Sequence, residues 1–426
     1  MMKFKLFGDT DRTKELLLLL VIGGLFALST ALSNTFVNIY LWKQSGELRD
    51  IALYNLSIVC IQPVAFFIAG RLTKKIDRVI VLRIGVTILS LFYLFVLFLG
   101  EQASERLLLL GGLLGAGSGF YWLAFNVLTF EVTEPDTRDS FNGYLGVFNS
   151  LSGMVGPITS GFLISQLDKF TGYRIIFTVS LFLFFTAVVI SFFLKRQKAE
   201  GKFHIWQILK SRAYNRNWAR ILYAHFFQGI REGTFIFLIV IWVYIISDSE
   251  FALGTFGLVQ SAVSFIGYFV VSRYMNKERR KKSIFVGGLI LFLSPFLFLM
   301  NVTFPLLMFY GVVISIAYPL LLVPYVSLTY DVIGRCDNAG PMRVEYIVVR
   351  ELFLNAGRIL SIVILLITIQ FFNGDYSIPL LLPILGAGHF VIYFCVRSIR
   401  FSTLPKSDIV SNYSQNNTDR EDGSRV

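Results

Sequence analysis

Long apolar runs alternate with short polar segments along almost the whole chain. Crossing the hydrocarbon core of a bilayer, about 30 Å thick, takes roughly 20 helical residues at 1.5 Å each. Twelve runs reach that length: residues 16–42, 51–70, 79–99, 107–131, 141–165, 173–194, 218–246, 252–272, 284–302, 305–331, 344–372 and 377–396. The pattern therefore predicts an all-α membrane protein with twelve transmembrane helices.

The composition agrees with a chain that lies mostly in lipid, since it is 55% hydrophobic and 15% charged, with a mean hydropathy of +0.66. Cys60, Cys336 and Cys395 have neither paired nor metal-like spacing, so we expect no disulfide framework, metal site or other cofactor. No GxxxxGK[ST] loop, nucleophile elbow or catalytic acid pair occurs, which argues against ATP-driven transport and against an enzyme.

The basic residues predict the orientation, because Lys and Arg accumulate on the cytoplasmic side of membrane proteins. With the N-terminus inside, five of them fall at the outer ends of spans: Lys43, Arg49, Arg106, Lys169 and Arg174. Most of the others fall on the cytoplasmic side, so we expect a multi-pass protein of the cell membrane with both termini in the cytoplasm. The net charge of +12 is then explained by the basic residues that set the orientation in the membrane. No nucleic-acid partner is therefore expected.

The chain repeats itself after about half its length. "LTFEV" at residues 128–132 closes span four and "LTYDV" at 328–332 closes span ten, while "GRLTKK" at 70–75 corresponds to "SRYMNK" at 272–277. Six helices per repeat keep both copies in the same orientation, which predicts two pseudo-symmetric six-helix bundles with a binding site between them near the midplane.

The repeat also sets the expected domains. These are a cytoplasmic N-terminal tail (1–15), two six-helix bundles (16–194 and 218–396), a cytoplasmic central loop (195–217) and a disordered cytoplasmic tail (397–426). In the central loop, Phe203, Trp206 and Leu209 share one helical face beside basic residues, which predicts a helix lying on the inner membrane surface.

These features resemble the major facilitator superfamily, and the resemblance covers about residues 10–400. The loop after span two reads "GRLTKKIDRVIVLR", in which Gly70, Lys75 and Arg78 fit the family signature and Lys74 stands where the family usually has aspartate. Glu131 followed by Arg138 matches a second family spacing at the end of span four. The resemblance implies the two-bundle fold of this family and transport by alternating access, and we expect a monomer.

Charged residues cluster at the predicted cytoplasmic ends of the spans. The candidate gate residues are Gly70, Lys74, Lys75, Arg78, Glu131, Arg138, Arg279, Arg280 and Asp331. Such clusters can latch the inner gate in one of two discrete arrangements. The alternative is plain topological anchoring, but anchoring a helix end inside does not require the carboxylates of Glu131 and Asp331, so we predict the latch.

The predicted spans of the second half contain charges deep in the membrane, which are functional candidates because burying them is costly. In span seven, one narrow arc of the helix carries His225, Gln228 and Glu232, and Arg231 lies beside it. In span eleven, a similar arc carries Glu351, Asn355 and Arg358, and Arg350 lies about 100° from this arc around the helix axis. Three arginines against two glutamates leave one positive charge. This surplus predicts an anionic solute bound by Arg231, Arg350, Arg358 and Asn355, and the alternative is a set of structural ion pairs between the two spans.

Proton coupling by a side-chain carboxylate requires Glu232 or Glu351, the acids deep in the spans. We favour Glu232, because its arc also carries His225, a second group that can titrate near neutral pH. The first half supplies amides and aromatic rings to the opposite wall of the site: Asn34, Asn38, Tyr121, Trp122 and Asn126. A charged wall facing an aromatic wall fits an amphipathic anion.

The sequence therefore predicts a secondary transporter that exports a small organic anionic or amphipathic solute, coupled to protons. Export follows from the resemblance of span five to the antiporter signature of the family, which Gly143, Gly156, Pro157 and Gly161 preserve. Two alternatives stay open: efflux of many lipophilic drugs, for which deep acids in excess of bases would be expected, and a receptor of the same fold that transports nothing.

Overall fold

The structure is a computed structural model, and it describes residues 13–132, 135–167, 170–195, 201–276, 278–336 and 338–399. Within these residues the first half of the chain forms six long helices: α1 (Thr13–Ser45), α2 (Leu48–Thr73), α3 (Arg78–Leu99), α4 (Leu107–Val132), α5 (Pro135–Gln166) and α6 (Thr171–Ser191). Most of the two predicted tails lies outside the described residues.

A short helix, α7 (Ile205–Ser211), connects this half to six further long helices. These are α8 (Arg216–Ser247), α9 (Glu250–Tyr274), α10 (Arg280–Leu293), α11 (Phe304–Ile333), α12 (Arg343–Phe371) and α13 (Gly374–Val396). A 3-10 turn at Ser294–Leu299 extends α10. Polar side chains begin several helices: Asp77, Asn215 and Ser249 accept hydrogen bonds from backbone N–H groups in the first turns of α3, α8 and α9.

By length and composition, eleven helical segments of the described chain could cross a membrane. One of them, Arg78–Thr129, has 52 residues, which is more than twice what one crossing needs. It contains both α3 and α4, which a 3-10 turn at Gly100–Arg106 separates, and Gly100 adopts a φ of 53° at this turn. Because α3 and α4 are separate crossings, the twelve predicted transmembrane helices are confirmed.

The packing of the helices follows the sequence repeat. In the first half α1 packs against α5 and α6, α2 against α4, and α3 against α4 and α6. In the second half α8 packs against α12 and α13, α9 against α11, and α10 against α11 and α13, so each contact has its counterpart. The two halves meet where α5 lies along α9 and where α2 lies along α12. This arrangement confirms two pseudo-symmetric six-helix bundles.

The short helix α7 lies in the central loop, where the sequence predicted a helix on the inner membrane surface. Ile205 and Ile208 are buried, whereas Trp206 is 68% exposed. The exposed Trp206 is compatible with contact to lipid, and the position of α7 on the membrane surface stays a prediction. Phe203 precedes the helix, and its ring packs against Phe67 of α2 with 5.7 Å between ring centroids.

Candidate functional site

A cavity of about 390 Å³ lies between the two halves, near the middle of the long helices. Its first wall comes from α1, α2, α3 and α4, with one residue of α6, and its second wall comes from α8 and α12. Polar and aromatic residues of the first wall include Phe26, Thr30, Asn34, Asn38, Asn55, Gln62, Trp122 and Phe184, and the second wall contains Gly233, Ile236, Arg358 and Ile362. We call this space the central cavity.

Amide side chains of the first wall are linked to one another. Asn55 Nδ2 donates to Asn38 Oδ1 at 2.8 Å and to the carbonyl oxygen of Ile51 at 2.9 Å. Asn34 and Asn38 both line the central cavity, as the sequence led us to expect of binding residues. The Asn38–Asn55 bond fixes the orientation of both amides before any solute arrives.

The aromatic residues of α1 and α4 form a stacked group beside these amides. Phe26 stacks on Tyr121 with ring centroids 3.8 Å apart, and Trp122 meets Phe26 edge-on at 5.1 Å. Trp122 faces the central cavity, whereas Tyr121 is 1% exposed and supports Phe26 from behind. Asn126, one turn further along α4, does not contribute to the described lining. The structure thus brings together part of the predicted aromatic wall.

Arg358 and Glu232 form an ion pair between α12 and α8. Arg358 Nη2 lies 2.6 Å from Glu232 Oε2, and Arg358 Nε donates to the same oxygen at 3.2 Å. Gln228 Nε2 donates to the other carboxylate oxygen at 2.8 Å. Among the described residues, Arg358 is the charged side chain in the lining of the central cavity, and its partner Glu232 is not part of that lining. This geometry corresponds to the structural pairing between spans seven and eleven, yet it leaves Arg358 facing the cavity.

The other deep polar residues of α12 lie outside the described lining of the central cavity. Arg350 Nη2 lies 2.6 Å from Oε1 of its neighbour Glu351, so this pair forms within one helix. Asn355 Nδ2 donates to the carbonyl oxygen of Glu351 at 3.0 Å, and its Oδ1 accepts from Arg358 at 3.5 Å. Asn355 is therefore placed to support Arg358, while Arg350 and Glu351 lie outside the cavity lining.

His225 is buried inside the second half. Its Nδ1 lies 2.6 Å from Tyr325 Oη and 2.9 Å from the carbonyl oxygen of Ile221. Although His225 and Glu232 both lie on α8, the hydrogen-bond partners that the structure gives Glu232 are Gln228 and Arg358. The shared arc on the helix therefore does not translate into a shared site.

Arg231 is 2% exposed and has no carboxylate partner among the described residues. Its Nη2 donates to Tyr310 Oη at 3.3 Å, and its guanidinium lies over the rings of Phe235 at 4.6 Å and Tyr318 at 5.5 Å. Tyr318 also contacts His389 of α13, which is fully buried and which the sequence reading missed. The predicted surplus positive charge therefore resides on Arg231, held by aromatic rings inside the second half.

At the end of the molecule that the sequence places in the cytoplasm, Lys74 joins the two halves. Lys74 Nζ donates to the carbonyl oxygen of Pro341 at 2.6 Å and lies 3.4 Å from Glu345 Oε2. Glu345 is fully buried, and its Oε1 accepts from the backbone N–H of His204 at 3.2 Å. Glu345 was missed because it stands at the start of an apolar run, where an acid usually signals only a helix end.

The other predicted gate residues have separate surroundings. Gly70 lets α2 approach α12, since an added Cβ would lie 3.0 Å from Val348 Cγ2. Asp331 Oδ2 lies 2.6 Å from Arg280 Nη1, but this pair joins α10 to α11 within one half. Lys75 and Arg279 are exposed, and Arg78 begins α3. The side chains of Glu131 and Arg138 lie outside the described residues, so their part in a latch stays a prediction.

The opposite end carries an ion pair between α1 and α9 that the sequence reading also missed. Lys43 Nζ lies 2.7 Å from Glu250 Oε1, and Tyr173 Oη of α6 donates to the same oxygen at 3.0 Å. The sequence placed Lys43 at an outer helix end but offered no partner for it. With the Lys74–Glu345 pair, this contact joins the two halves at both ends of the central cavity.

Two glycines, Gly229 of α8 and Gly357 of α12, allow the close approach of these helices near the Arg358–Glu232 pair. A Cβ on Gly357 would collide with the carbonyl oxygen of Phe226 in α8. Gly357→Ala is therefore expected to separate the helices, lengthen the ion pair and lower the free energy of unfolding by about 1–3 kcal/mol, the usual cost of overpacking. Thermal unfolding of the purified protein measures this loss of stability.

The matched control is Gly146→Ala in α5, where an added Cβ would meet no atom within 4 Å. Its stability should stay within about 0.5 kcal/mol of the wild type. Equal losses for both variants would show that the α8–α12 contact does not need Gly357.

The sequence profile described as "Major Facilitator Superfamily" matches residues 18–340. "Uncharacterized protein YqgE" of Bacillus subtilis (strain 168) is 58% identical over 421 residues, which cover 99% of this chain and 96% of that protein. "Uncharacterized protein in sodM 3'region" of Geobacillus stearothermophilus is 52% identical over 206 residues, 48% of this chain and 96% of that protein.

Among solved structures, the crystal structure of the human organic anion transporter MFSD10 (TETRAN) is similar, with a TM-score of 0.67. It covers 91% of this chain and 100% of its own, at 13% sequence identity, so the likeness concerns the fold.

Proposed function

The chain belongs to the major facilitator superfamily and is a secondary transporter, and from that premise we propose that it carries an organic anion together with a proton. The observation that supports an anion is the position of Arg358. Arg358 lines the central cavity, and its ion-pair partner Glu232 is not among the lining residues, so a solute meets a cation. A guanidinium is always protonated and binds carboxylate, sulfonate or phosphate groups through two parallel hydrogen bonds.

The first wall suggests the rest of the solute. Trp122 and Phe26 provide aromatic surface, and Asn34 and Asn38 provide amide groups in the same cavity lining. An aryl or other apolar group attached to the anionic head would cover these rings, and hydroxyl or carbonyl groups on it would bond to the amides. A cavity of about 390 Å³ suits a small organic molecule.

The charges of the Arg358–Glu232 pair favour symport over antiport. The empty site, with both groups ionised, is neutral. An anion bound to Arg358 adds a negative charge, and a proton on Glu232 restores neutrality. An anion alone, or a proton alone, leaves an unbalanced charge in a low-dielectric site, which costs several kcal/mol. The empty site and the site with both ions are therefore the forms that change conformation easily.

An inward proton gradient would drive such a symporter toward uptake. This direction differs from the export that the glycine pattern of α5 predicted. Proton-driven export of an anion through this pair would require the anion and the proton to bind in turn, and each of those states carries a net charge. The pairing thus supports uptake for an anionic solute.

Efflux of a lipophilic cation is the second candidate, and the aromatic wall favours it, because ring faces attract cations. A cation that replaces the proton at Glu232 leaves the charge of the site unchanged at +1, because Arg358 stays ionised, so this exchange lacks the neutral states that the symport has. The same pair would then exchange cations for protons, which is antiport. The two candidates therefore predict opposite proton movements when the solute is added from one side.

Vesicles containing the purified protein and a trapped pH dye separate these functions. Adding an aryl sulfonate outside should acidify the interior, because the proton enters with the anion. Sulfonates stay ionised and cannot carry protons across the bilayer by themselves. Adding a lipophilic cation such as ethidium should make the interior alkaline only if the second candidate is correct.

Glu232→Gln and vesicles without protein are the controls. Glu232→Gln keeps the size of the side chain but cannot exchange a proton, so the acidification should disappear. Sulfonate entry without a pH change in the wild-type protein would contradict proton coupling, and alkalinisation by ethidium alone would support the cation exporter.

A further inference from the structure

A second cavity of about 390 Å³ lies between α5, α9 and α11, so residues of both halves enclose it. We call it the polar cavity. Six residues of its described lining are amides and serines: Asn149, Ser150, Gln260, Ser261, Ser264 and Ser315. Tyr268 and Tyr318 also line it, with Ile314, and none of these lining residues carries a charge. The polar cavity thus presents neutral groups that both donate and accept hydrogen bonds.

The polar side chains of this lining have no hydrogen bond to another residue in the part of the chain that the structure describes. Other hydroxyls on the same three helices are satisfied by the backbone. Thr159 of α5, Thr255 of α9 and Ser327 of α11 each donate to a carbonyl oxygen one turn earlier, at 2.7, 2.9 and 3.0 Å. Ser and Thr commonly form such bonds in membrane helices. The hydroxyls of the polar cavity are therefore available to a ligand.

Ser315 is the most buried polar residue of this lining. It is 4% exposed, and its side chain lines the polar cavity. A buried hydroxyl without a hydrogen-bond partner is costly, so the contents of the cavity have to supply one. Tyr318, one turn further along α11, is held by the Arg231 guanidinium, 5.5 Å from its ring centroid, and by the His389 ring at 5.3 Å. This wall of the cavity is therefore in place before a ligand binds.

The chemistry of the lining selects an uncharged ligand. A buried anion needs a guanidinium or ammonium partner and a buried cation needs a carboxylate, and the described lining supplies neither. An apolar molecule would leave the amides and hydroxyls without partners. A molecule with several hydroxyl groups both donates and accepts hydrogen bonds, as these side chains do. The cavity also has the volume of a small-molecule site.

We propose that the polar cavity binds a neutral polyhydroxylated molecule, a sugar or a polyol, separately from the anion at Arg358. Asn149 and Ser150 would bind it from the first half of the chain, and Gln260 and Ser315 from the second. This site goes beyond the proposed anion transport and does not depend on proton coupling.

The two halves touch beside the polar cavity, since a Cβ on Gly153 of α5 would lie 2.8 Å from Ser261 Oγ of α9. A ligand that bonds to both helices binds best to the conformation in which they are in contact. It therefore shifts the population toward that conformation. The sugar or polyol would thus act on the exchange between conformations without being the transported anion.

Equilibrium dialysis of radiolabelled mannitol and glucose against the full-length protein in lipid nanodiscs tests this site. Nanodiscs avoid detergents with sugar head groups, which would compete. Saturable binding of at least one of the two compounds is expected. Gluconate and glucosamine, which carry a carboxylate and an ammonium group on similar frameworks, should bind roughly tenfold more weakly or not at all. Equal binding of charged and neutral compounds would overturn the proposal, and so would no saturable binding of mannitol or glucose, the result expected if the cavity holds water alone.

Ser315→Ala and, independently, Ser264→Ala each remove one hydroxyl from the polar cavity and should weaken binding about three- to tenfold, the effect of one lost hydrogen bond. Ser327→Ala is the matched control on α11, because its hydroxyl bonds to the backbone and it is not among the lining residues. Thr30→Val removes a hydroxyl of the central cavity, and both controls should keep the wild-type affinity. Wild-type affinity in both cavity variants, or weaker binding in Thr30→Val, would overturn the polar cavity as the site and leave the proposed anion transport intact.

Discussion

Arg358→Gln is expected to abolish binding of the anionic solute and to destabilise the protein strongly. The substitution removes the cation from the central cavity and leaves the Glu232 carboxylate with Gln228 as its remaining hydrogen-bond donor. Removing one partner of a buried ion pair costs about 3–5 kcal/mol, because the other charge stays buried without compensation. Thermal unfolding and binding of the aryl sulfonate to purified protein measure the two effects.

The double variant Glu232→Gln/Arg358→Gln separates these effects. Two neutral amides of similar shape should restore most of the lost stability, since no charge is left unpaired. Binding should stay absent, because the solute still has no guanidinium to meet. Recovery of binding in the double variant would remove Arg358 from the site.

Arg83→Gln serves as the control for loss of an arginine elsewhere. Arg83 donates to the carbonyl oxygen of Ser191 at 2.9 Å and lies over the ring of Phe192, and it is not among the residues that line the central cavity. Its replacement should leave sulfonate binding unchanged. Loss of binding in Arg83→Gln would mean that the assay reports general damage.

Glu345→Gln is expected to open the end of the protein that the sequence places in the cytoplasm, which we call the inner end. It removes the negative charge that holds Lys74 across the interface of the two halves, where Glu345 is fully buried. A change of about 1–3 kcal/mol in the balance between closed and open forms shifts their ratio roughly 5- to 150-fold. Distances between spin labels at Arg71 and Gly340, both exposed near the inner end, should lengthen.

Asp331→Asn is the control for this second prediction. It removes a charge of the same sign at the same end, but the partner Arg280 belongs to the same half, so the distance between the labels should not change. The cysteines Cys60, Cys336 and Cys395 are first replaced to allow specific labelling. An unchanged distance distribution in Glu345→Gln would show that the Lys74–Glu345 pair does not hold the inner end closed.

The sequence predicted the number of helices and their duplication, because both follow from properties that each segment carries by itself. A run of about twenty apolar residues must cross the membrane as a helix in any context. The repeats "LTFEV" and "LTYDV" mark corresponding helix ends, which the paired packing of α2 on α4 and α9 on α11 confirms. Even the excess of one deep positive charge could be counted along the chain.

The partners of those charges followed only from the tertiary structure. Arg358 pairs with Glu232 from a helix 126 positions away, Arg350 takes its neighbour Glu351, and the excess charge falls to Arg231. Helical periodicity gives the direction of a side chain around its own axis, but not the distance or rotation of the next helix. Here the close contact at Gly357 sets that distance.

The same reason explains the gates. From the sequence, Asp331 and the basic loops were equal candidates for a latch, whereas in the fold Asp331 meets Arg280 within one half and Lys74 finds Glu345 in the other. Hydropathy and charge along the chain determined that this protein crosses the membrane twelve times, in two copies of one unit. Which charges face each other between those units depends on how the helices pack in three dimensions, since an ion pair requires two atoms within a few ångströms.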